Sequence, residues 1–343
     1  MAAIEKINRD YVKECTDKMG AAFLAGVGTD SAAKDMDVVR RVLGDDKINY
    51  LGFSYGTELG TAYLEKFPDR VRTMVLDGAI DPAENTVDSI IQQMTGFQVA
   101  FNDYAADCAK SAGCPLGTDP AHWVDRYHQL VDPLVTKPGP TSDPRGLGYQ
   151  DAITGTFNAL YTPQYWKFLT SGLLGLQRKT DAGDLLMLAD EYEGRDPPYG
   201  HYSNGQDAFN AVRCVDGPPL PPTRRRGPTS TGAPESWRRS SPTVSSPGWR
   251  RATCVRSGPC RRPRNPPTRR CPLRSVASSS SPRRTTRPPP RMRRGVNLAR
   301  QLNAPLITFD GTQHTAVFNG DECVDSAIVK YFVDQIVPGN LQC

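Results

Sequence analysis

Ile48-Asn-Tyr-Leu-Gly-Phe-Ser-Tyr-Gly-Thr-Glu-Leu-Gly60 is the stretch that decides the fold of this chain. Residues 49–53 predict a short, mostly apolar strand, and residues 57–66 carry apolar side chains at helical spacing. Gly52-Phe53-Ser54-Tyr55-Gly56 between them fits the G-x-S-x-G pattern of a nucleophile elbow, a tight strand-to-helix turn on which a serine presents its hydroxyl above a sheet. A turn serine between two turn glycines would match the same five letters, so the neighbouring elements carry the interpretation.

The elements on either side of this stretch predict a parallel α/β unit. Asp30 and Ser31 are typical helix caps and precede a segment with apolar residues at helical spacing. Residues 71–76 form the next predicted strand. Helix, strand, turn, helix and strand in this order are typical of a parallel sheet. Ser54 is therefore a candidate nucleophile, and the backbone N–H of Tyr55, at the start of the helix, is a candidate donor to an oxyanion.

Residues 81–217 are predicted to be mostly helical. The sequence predicts helices at residues 85–104, 152–160, 164–174 and 183–192. A block of helices inserted after a sheet strand predicts a lid over an active site. An independent helical domain fits the same pattern.

A second α/β segment begins at Gly295. Residues 296–302 predict a helix, residues 305–309 a strand, and residues 324–333 a closing amphipathic helix. His314 lies in the loop after that strand, where α/β sheets place catalytic groups. We therefore expect His314 to act as general base for the serine upstream, although an isolated loop histidine is more often simply solvated.

Composition separates one region from the rest of the chain. Residues 218–294 contain 20 Arg, 17 Pro, no Lys and a single acid, Glu235, and so carry a formal charge of +19. The whole chain has a formal charge of +5, so the remaining residues together carry −14. The overall basic balance does not predict a nucleic-acid surface on the folded part. A disordered Arg/Pro/Ser linker that binds RNA or acidic partners remains an alternative interpretation of residues 218–294.

Nine cysteines are many for a cytosolic enzyme. Cys108 with Cys114, and Cys323 with Cys343, have the spacing of disulfides that close local loops, which would require an oxidising compartment; buried free thiols are the alternative. Residues 1–10 lack the apolar core of a signal peptide, and no apolar run is long enough to span a bilayer. No cluster of residues has metal-ligand spacing, so neither a metal nor an organic cofactor is expected.

These motifs resemble the tripeptidyl aminopeptidase group of bacteria, which are secreted serine exopeptidases of the α/β-hydrolase fold. The resemblance covers residues 10–218 and 295–343. The matching stretches are Asp35-Met-Asp-Val-Val-Arg40, the elbow stretch up to Thr57, Phe67-Pro-Asp-Arg-Val-Arg72, Leu76-Asp-Gly78, Trp166, Cys214-Val-Asp216, Gly295-Val-Asn-Leu-Ala-Arg-Gln-Leu302, Gly311-Thr-Gln-His314 and the last two cysteines.

The resemblance implies an α/β-hydrolase parallel sheet, incomplete at its N-terminus, with an inserted helical lid. Residues 1–80 would form the N-terminal part of the core, residues 81–217 the lid, and residues 295–343 the C-terminal part of the core. Residues 218–294 would be disordered or frame-shifted.

The resemblance also implies a function. Ser54 would be the nucleophile, Tyr55 the backbone oxyanion donor and His314 the general base of a monomer that acts on peptides without a cofactor, a nucleic acid or a membrane span. Family members are exported, yet this chain shows no export signal. The elbow pattern by itself fits a carboxylesterase or lipase equally well.

Enzymes of this family use a catalytic triad of serine, histidine and an acid, and the acid is missing from its expected place in this chain. It is an aspartate in a stretch like Thr-Thr-x-Asp-Pro-Ala-Thr-Pro, but this chain has Arg284-Thr-Thr-Arg-Pro-Pro-Pro290 there. If the reading frame is shifted one nucleotide upstream, the codons of residues 278–281 can encode apolar residues typical of a buried strand. The codon at position 286 can then encode aspartate. We therefore interpret residues 218–294 as frame-shifted. About fifty residues precede Ser54, with no Gly-rich loop for a second oxyanion amide, so a fragment with little activity is expected.

Overall fold

The computed structural model describes residues 2–196, 199–217, 275–280 and 290–343. The chain divides into two compact units: a sheet unit of residues 26–100 and 259–343, and a helical unit of residues 1–25 and 101–258. This division differs from the ranges expected from the sequence. Residues 1–25 belong with the helical unit, and residues 81–100 belong with the sheet unit.

The sheet unit contains the predicted parallel sheet. Within the described residues the order of its strands follows the chain, β1-β2-β3-β4-β5, and every neighbouring pair is parallel. All carboxyl ends therefore lie at one edge, as in α/β enzymes. The strands are β1 (Ile48–Phe53), β2 (Val71–Asp77), β3 (Ser275–Ser280), β4 (Leu306–Phe309) and β5 (Leu341–Gln342).

Helices cover both faces of this sheet because β2 is apolar on both sides. Met74 and Leu76 belong to one core cluster with Leu64 and Leu298, whereas Val75 belongs to another with Ile307 and residues of the C-terminal helix. Alternate residues of a strand point to opposite faces, so this continuous apolar run fits a strand buried on both sides. The helices of the sheet unit are α3 (Thr29–Val42), α4 (Tyr55–Lys66), the first part of α5 (Thr86–Cys108), α11 (Pro290–Leu302) and α12 (Glu322–Asp334).

The helical unit is held together by apolar packing and a buried ionic cluster. Asp190 accepts hydrogen bonds from Arg145 at 2.6 Å and from Arg195 at 3.2 Å, and its side chain is nearly buried. Tyr11 of the N-terminal helix donates to Asp207 at 2.7 Å, which ties the first residues to this unit. Its further helices are α1 (Ala2–Met19), α2 (Ala21–Leu24), α6 (Trp123–Val131), α7 (Tyr149–Ala159), α8 (Trp166–Arg178), α9 (Gly183–Glu193) and α10 (Gly205–Asp216).

Two local expectations are wrong. The cap of α3 is Gly28, without a side-chain hydrogen bond, and Asp30 instead pairs with Lys34 at 2.8 Å inside the first turn. Helix α11 begins six residues before the predicted position 296, because a proline such as Pro290 is tolerated in the first turn. Of the range 218–294, the structure describes Ser275–Ser280 and the first residues of α11; the rest, position 286 included, lies outside the described residues.

Both local disulfides are confirmed. Cys108 is bonded to Cys114 and Cys323 to Cys343. The second bond fastens the C-terminal strand to the start of α12. In the part of the chain that the structure describes, no helix combines the length and the apolar character needed to cross a bilayer.

Candidate active site

Ser54 occupies the turn between β1 and α4 in a strained backbone conformation. Its φ is 52° and its ψ is −117°. Non-glycine residues with such angles are uncommon and persist where surrounding contacts hold them, often at active sites. The Ser54 N–H donates to the carbonyl oxygen of Asp77 at 2.9 Å, and the Thr57 hydroxyl donates to the Ser54 carbonyl oxygen at 2.7 Å. The elbow predicted from the five-residue pattern therefore has the backbone geometry that the pattern requires.

Thr57 also anchors the elbow to the segment after β2. Its side chain is fully buried, and its hydroxyl oxygen accepts the N–H of Ile80 at 2.9 Å. One hydroxyl thus bridges the turn and the neighbouring chain segment, so the first turn of α4 is fixed on both sides.

Tyr55 is the first residue of α4, and its side chain contacts the helix next to it. Its hydroxyl forms a hydrogen bond with the hydroxyl of Thr29, a buried residue at the start of α3. The first N–H groups of a helix have no partner within the helix and carry its positive end. The backbone N–H of Tyr55 lies at this positive end of α4, directly after Ser54.

His314 follows β4 and lies against Gly78, the residue directly after β2. Gly78 has a φ of +68°, and a Cβ atom there would lie 3.1 Å from the carbonyl oxygen of His314 and 3.3 Å from its Cε1. A side chain at position 78 would therefore be strained and would push the imidazole away. The Ser54 N–H is hydrogen-bonded to Asp77, and His314 packs against Gly78, the residue after Asp77. The structure thus brings both predicted residues to the same two-residue segment.

Asp77 is a functional candidate that the sequence analysis missed. Its side chain is 1% exposed, and its Oδ2 accepts the N–H groups of Ala316 and Val317, both at 2.8 Å. The sequence contained a signal, since an acid at the end of the apolar strand Val71–Asp77 is unusual unless it is hydrogen-bonded. Its partners lie about 240 residues away in the chain, which no local pattern reveals.

The position expected for the third triad residue lies outside the described residues. Strand β3 nevertheless pairs in parallel with β2 and with β4, with Ser278 opposite Asp77 and Ile307. The carboxyl end of β3 therefore lies at the edge that carries Ser54.

One group of side chains in the described part of the chain has the distances of a metal site, but its chemistry excludes one. Asp321, Cys323 and Cys343 place their ligand atoms within 4.8 Å of one another. The two sulfur atoms are joined in a disulfide and are not thiolates, which are the form that binds metals.

Known proteins match the chain on both sides of the arginine-rich region. The sequence profile of the alpha/beta hydrolase fold matches residues 10–218, and a profile described as TAP-like protein matches residues 288–343. Carboxylesterase B of Mycobacterium tuberculosis is 56% identical over 356 residues, which is 99% of this chain and 65% of that protein.

Two further relatives carry peptidase names. Serine protease Hip1 of Mycobacterium tuberculosis is 46% identical over 350 residues, covering 98% of this chain and 65% of that protein. Tripeptidyl aminopeptidase of Streptomyces lividans is 31% identical over 220 residues, covering 62% of this chain and 39% of that protein. The chain thus spans about two thirds of the length of Carboxylesterase B and of Serine protease Hip1.

Proposed function

Because the chain belongs to the alpha/beta hydrolase fold family, we propose that it derives from a serine hydrolase that releases short peptides from the N-termini of polypeptides. The observation that carries the proposal is the placement of Ser54 and His314. Ser54 sits in a strained turn at the end of β1, and both residues contact the segment Asp77–Gly78.

The chemistry follows the order of these groups. The Ser54 hydroxyl attacks the scissile carbonyl while His314 takes its proton, and the Tyr55 N–H stabilises the negative oxygen that forms. His314 then gives the proton to the leaving amine. In the second half, water attacks the acyl-enzyme with His314 again acting as base.

A peptide substrate is supported by the names of two relatives, Serine protease Hip1 and Tripeptidyl aminopeptidase. An ester substrate is the second candidate, because the relative at 56% identity is named Carboxylesterase B. Both reactions pass through the same acyl-enzyme, so the site described above does not separate them.

We propose that the chain as written has little activity. The sequence has no acid in the stretch 284–290, where the family's triad aspartate is expected. Replacing the acid of such a triad lowers turnover by about ten-thousand-fold. The two sequence profiles match residues 10–218 and 288–343 and leave residues 219–287 uncovered, which supports a frame-shifted segment there.

One experiment separates these proposals. Purified chain is assayed with Ala-Ala-Pro p-nitroanilide and with p-nitrophenyl esters, beside its Ser54→Ala variant. Slow anilide hydrolysis that disappears in the variant supports the peptidase. Turnover of the esters alone supports the esterase, and turnover that survives Ser54→Ala defeats both. Vigorous turnover, near that of a complete triad enzyme, would contradict the proposed loss of activity.

We further propose an oxidising compartment for this protein. Cys108–Cys114 and Cys323–Cys343 form disulfides, which persist outside the reducing cytosol. Titration of free thiols in unfolded protein from its native host, with and without reductant, tests this. Four additional thiols appearing only after reduction are the minimum expected from these two bonds.

A further inference from the structure

We infer that Asp77 is a positioning residue that fixes the His314 loop in front of the elbow serine. This inference rests on the proposed function. It assigns a role to a carboxylate that takes no part in the bond-making steps described above.

Asp77 forms hydrogen bonds to the Ser54 turn through its backbone and to the His314 loop through its side chain. Its carbonyl oxygen accepts the N–H of Ser54 at 2.9 Å, and its carboxylate accepts the N–H groups of Ala316 and Val317 at 2.8 Å. His314 precedes Ala316 by two residues. One residue at the end of β2 therefore sets the position of the nucleophile and of the loop that carries the base.

The burial of Asp77 explains why these bonds are strong constraints. An ionised carboxylate that is 1% exposed is costly unless it is hydrogen-bonded. Bonds from backbone N–H groups to a carboxylate are stronger than bonds between neutral groups. Moving the loop would leave both the buried acid and two buried amides without these partners, so the arrangement resists displacement.

The glycine next to it completes the arrangement. Gly78 brings the loop backbone and the imidazole of His314 close to β2, since a Cβ atom at this position would lie only 3.1 Å from the carbonyl oxygen of His314. The hydrogen bonds of the Asp77 carboxylate hold the loop near the end of β2. The absence of a side chain at Gly78 leaves space for the loop there. Misplacing reacting groups by about 1 Å can lower the rate about 100-fold.

Asp81 provides a matched control for a test. It is also a buried acid of the sheet unit, 8% exposed, but its carboxylate accepts hydrogen bonds from Asn297 and Gln301, both at 2.9 Å. Its removal should destabilise the unit without moving the His314 loop.

The test compares Asp77→Ala, Asp77→Asn and Asp81→Ala in the full chain. The first measurement is the rate at which a fluorophosphonate labels Ser54, followed against pH, with Ser54→Ala and His314→Gln as references. The second is the NMR signal of His314 in protein labelled at histidine Cε1. The chain has four histidines, so His314→Gln assigns the signal.

We expect Asp77→Ala to slow labelling about 100-fold and to move or broaden the His314 signal selectively. Asp77→Asn keeps an oxygen that can accept both amides and should restore most of the labelling rate. Asp81→Ala should change neither readout. A labelling rate and a His314 signal in Asp77→Ala equal to those of the unchanged chain would overturn the inference, as would equal effects of Asp81→Ala.

Two results separate the inference from the function on which it rests. If the unchanged chain is not labelled at Ser54, or if His314→Gln is labelled equally fast, the proposed function fails, and the selective NMR response alone decides the role of Asp77. If Asp77→Ala does not fold, hydrogen exchange of the unchanged chain decides. Slow exchange at Ala316 and Val317 supports the inference, and exchange at the rate of free loop amides overturns it.

Discussion

The hydroxyl of Tyr50 donates a hydrogen bond to the carbonyl oxygen of Gly56 at 2.6 Å, so a side chain of β1 closes over the elbow that follows it. The ring lies against Gly52, where a Cβ atom would come within 2.6 Å of Tyr50 Cε1 and 2.5 Å of the Gly56 oxygen. Burial raises the pKa of Tyr50 to about 12, so the hydroxyl remains a donor at neutral pH. The absence of a side chain at Gly52 thus leaves space both for the Tyr50 ring and for the Gly56 carbonyl group.

Replacement of Gly52 by alanine should destabilise the sheet unit, whereas replacement of Gly56 should be tolerated. The new methyl group at position 52 would overlap backbone as well as the tyrosine ring, and such overpacking costs about 1–3 kcal/mol. At position 56 the nearest atom is the Tyr50 oxygen at 3.5 Å, an ordinary contact. Thermal unfolding of both variants measures the difference, and equal stability losses would contradict this account.

Replacement of Tyr50 by phenylalanine should weaken the elbow without emptying space. The ring remains, but the Gly56 carbonyl oxygen loses its 2.6 Å donor, at a cost of about 1 kcal/mol of unfolding free energy. Tyr199→Phe, at an exposed site, serves as the control. Urea unfolding compares the two variants, and a Tyr50→Phe protein as stable as the Tyr199→Phe protein would show that this hydrogen bond contributes nothing.

The elements that the sequence predicted best are those with a strong local pattern. Strand β1, helix α4 and strand β2 appear within two residues of the predicted bounds, because apolar spacing and glycine punctuation are encoded locally. Helix α1 was not predicted. Its Tyr11 contact is with Asp207, 196 residues away, so its place depends on tertiary packing.

The residues of the candidate site also differ in how far local sequence patterns reveal them. Ser54 and His314 were identified from a motif and from the order of elements, whereas Asp77 was not, because its partners come from the far end of the chain. Strand β5 was missed for a similar reason. It has two residues, and the Cys343 disulfide and the bond from the Cys343 N–H to the Thr308 carbonyl oxygen at 2.8 Å hold that end of the chain in place.

Acid should destabilise the sheet unit through Asp37. The hydrogen bond from Arg70, reinforced by Arg40 at 2.9 Å, outweighs burial and lowers the pKa of Asp37 to about 2. An aspartate in an unfolded chain has a pKa of about 3.9. Because the folded pKa is the lower one, this stabilisation is present above about pH 4 and disappears as the pH falls to about 2.

The urea midpoint should therefore fall between about pH 4 and pH 2, and Asp37→Asn should remove part of that dependence. Asp69→Asn, an exposed carboxylate beside Arg70 in the chain, is the control. An identical pH profile for Asp37→Asn and the unchanged chain would exclude Asp37 as a source of the acid sensitivity.

Loss of the Cys323–Cys343 disulfide should destabilise the chain more than loss of Cys108–Cys114. The two bonds join residues 20 and 6 positions apart. In the chain-entropy account, closing the larger loop contributes about 3 kcal/mol and the smaller one about 2 kcal/mol. Paired Cys→Ser variants, compared by thermal unfolding under oxidising conditions, measure the order. A larger loss from the Cys108–Cys114 pair would show that loop length does not govern the difference.

An acid at position 286 should restore reactivity to Ser54. Strand β3 ends at Ser280 at the sheet edge that carries Ser54, and position 286 is where the alternative reading frame allows aspartate. An orienting acid raises turnover in Ser-His-Asp enzymes by up to about ten-thousand-fold. Thr286→Asp should therefore accelerate fluorophosphonate labelling of Ser54, whereas Thr285→Asp, with the same charge one residue away, should do so much less. The gain must disappear when His314→Gln is added, since a gain that persists would mean that the acid does not act through His314. Equal gains at positions 285 and 286 would mean that the effect is not specific to position 286.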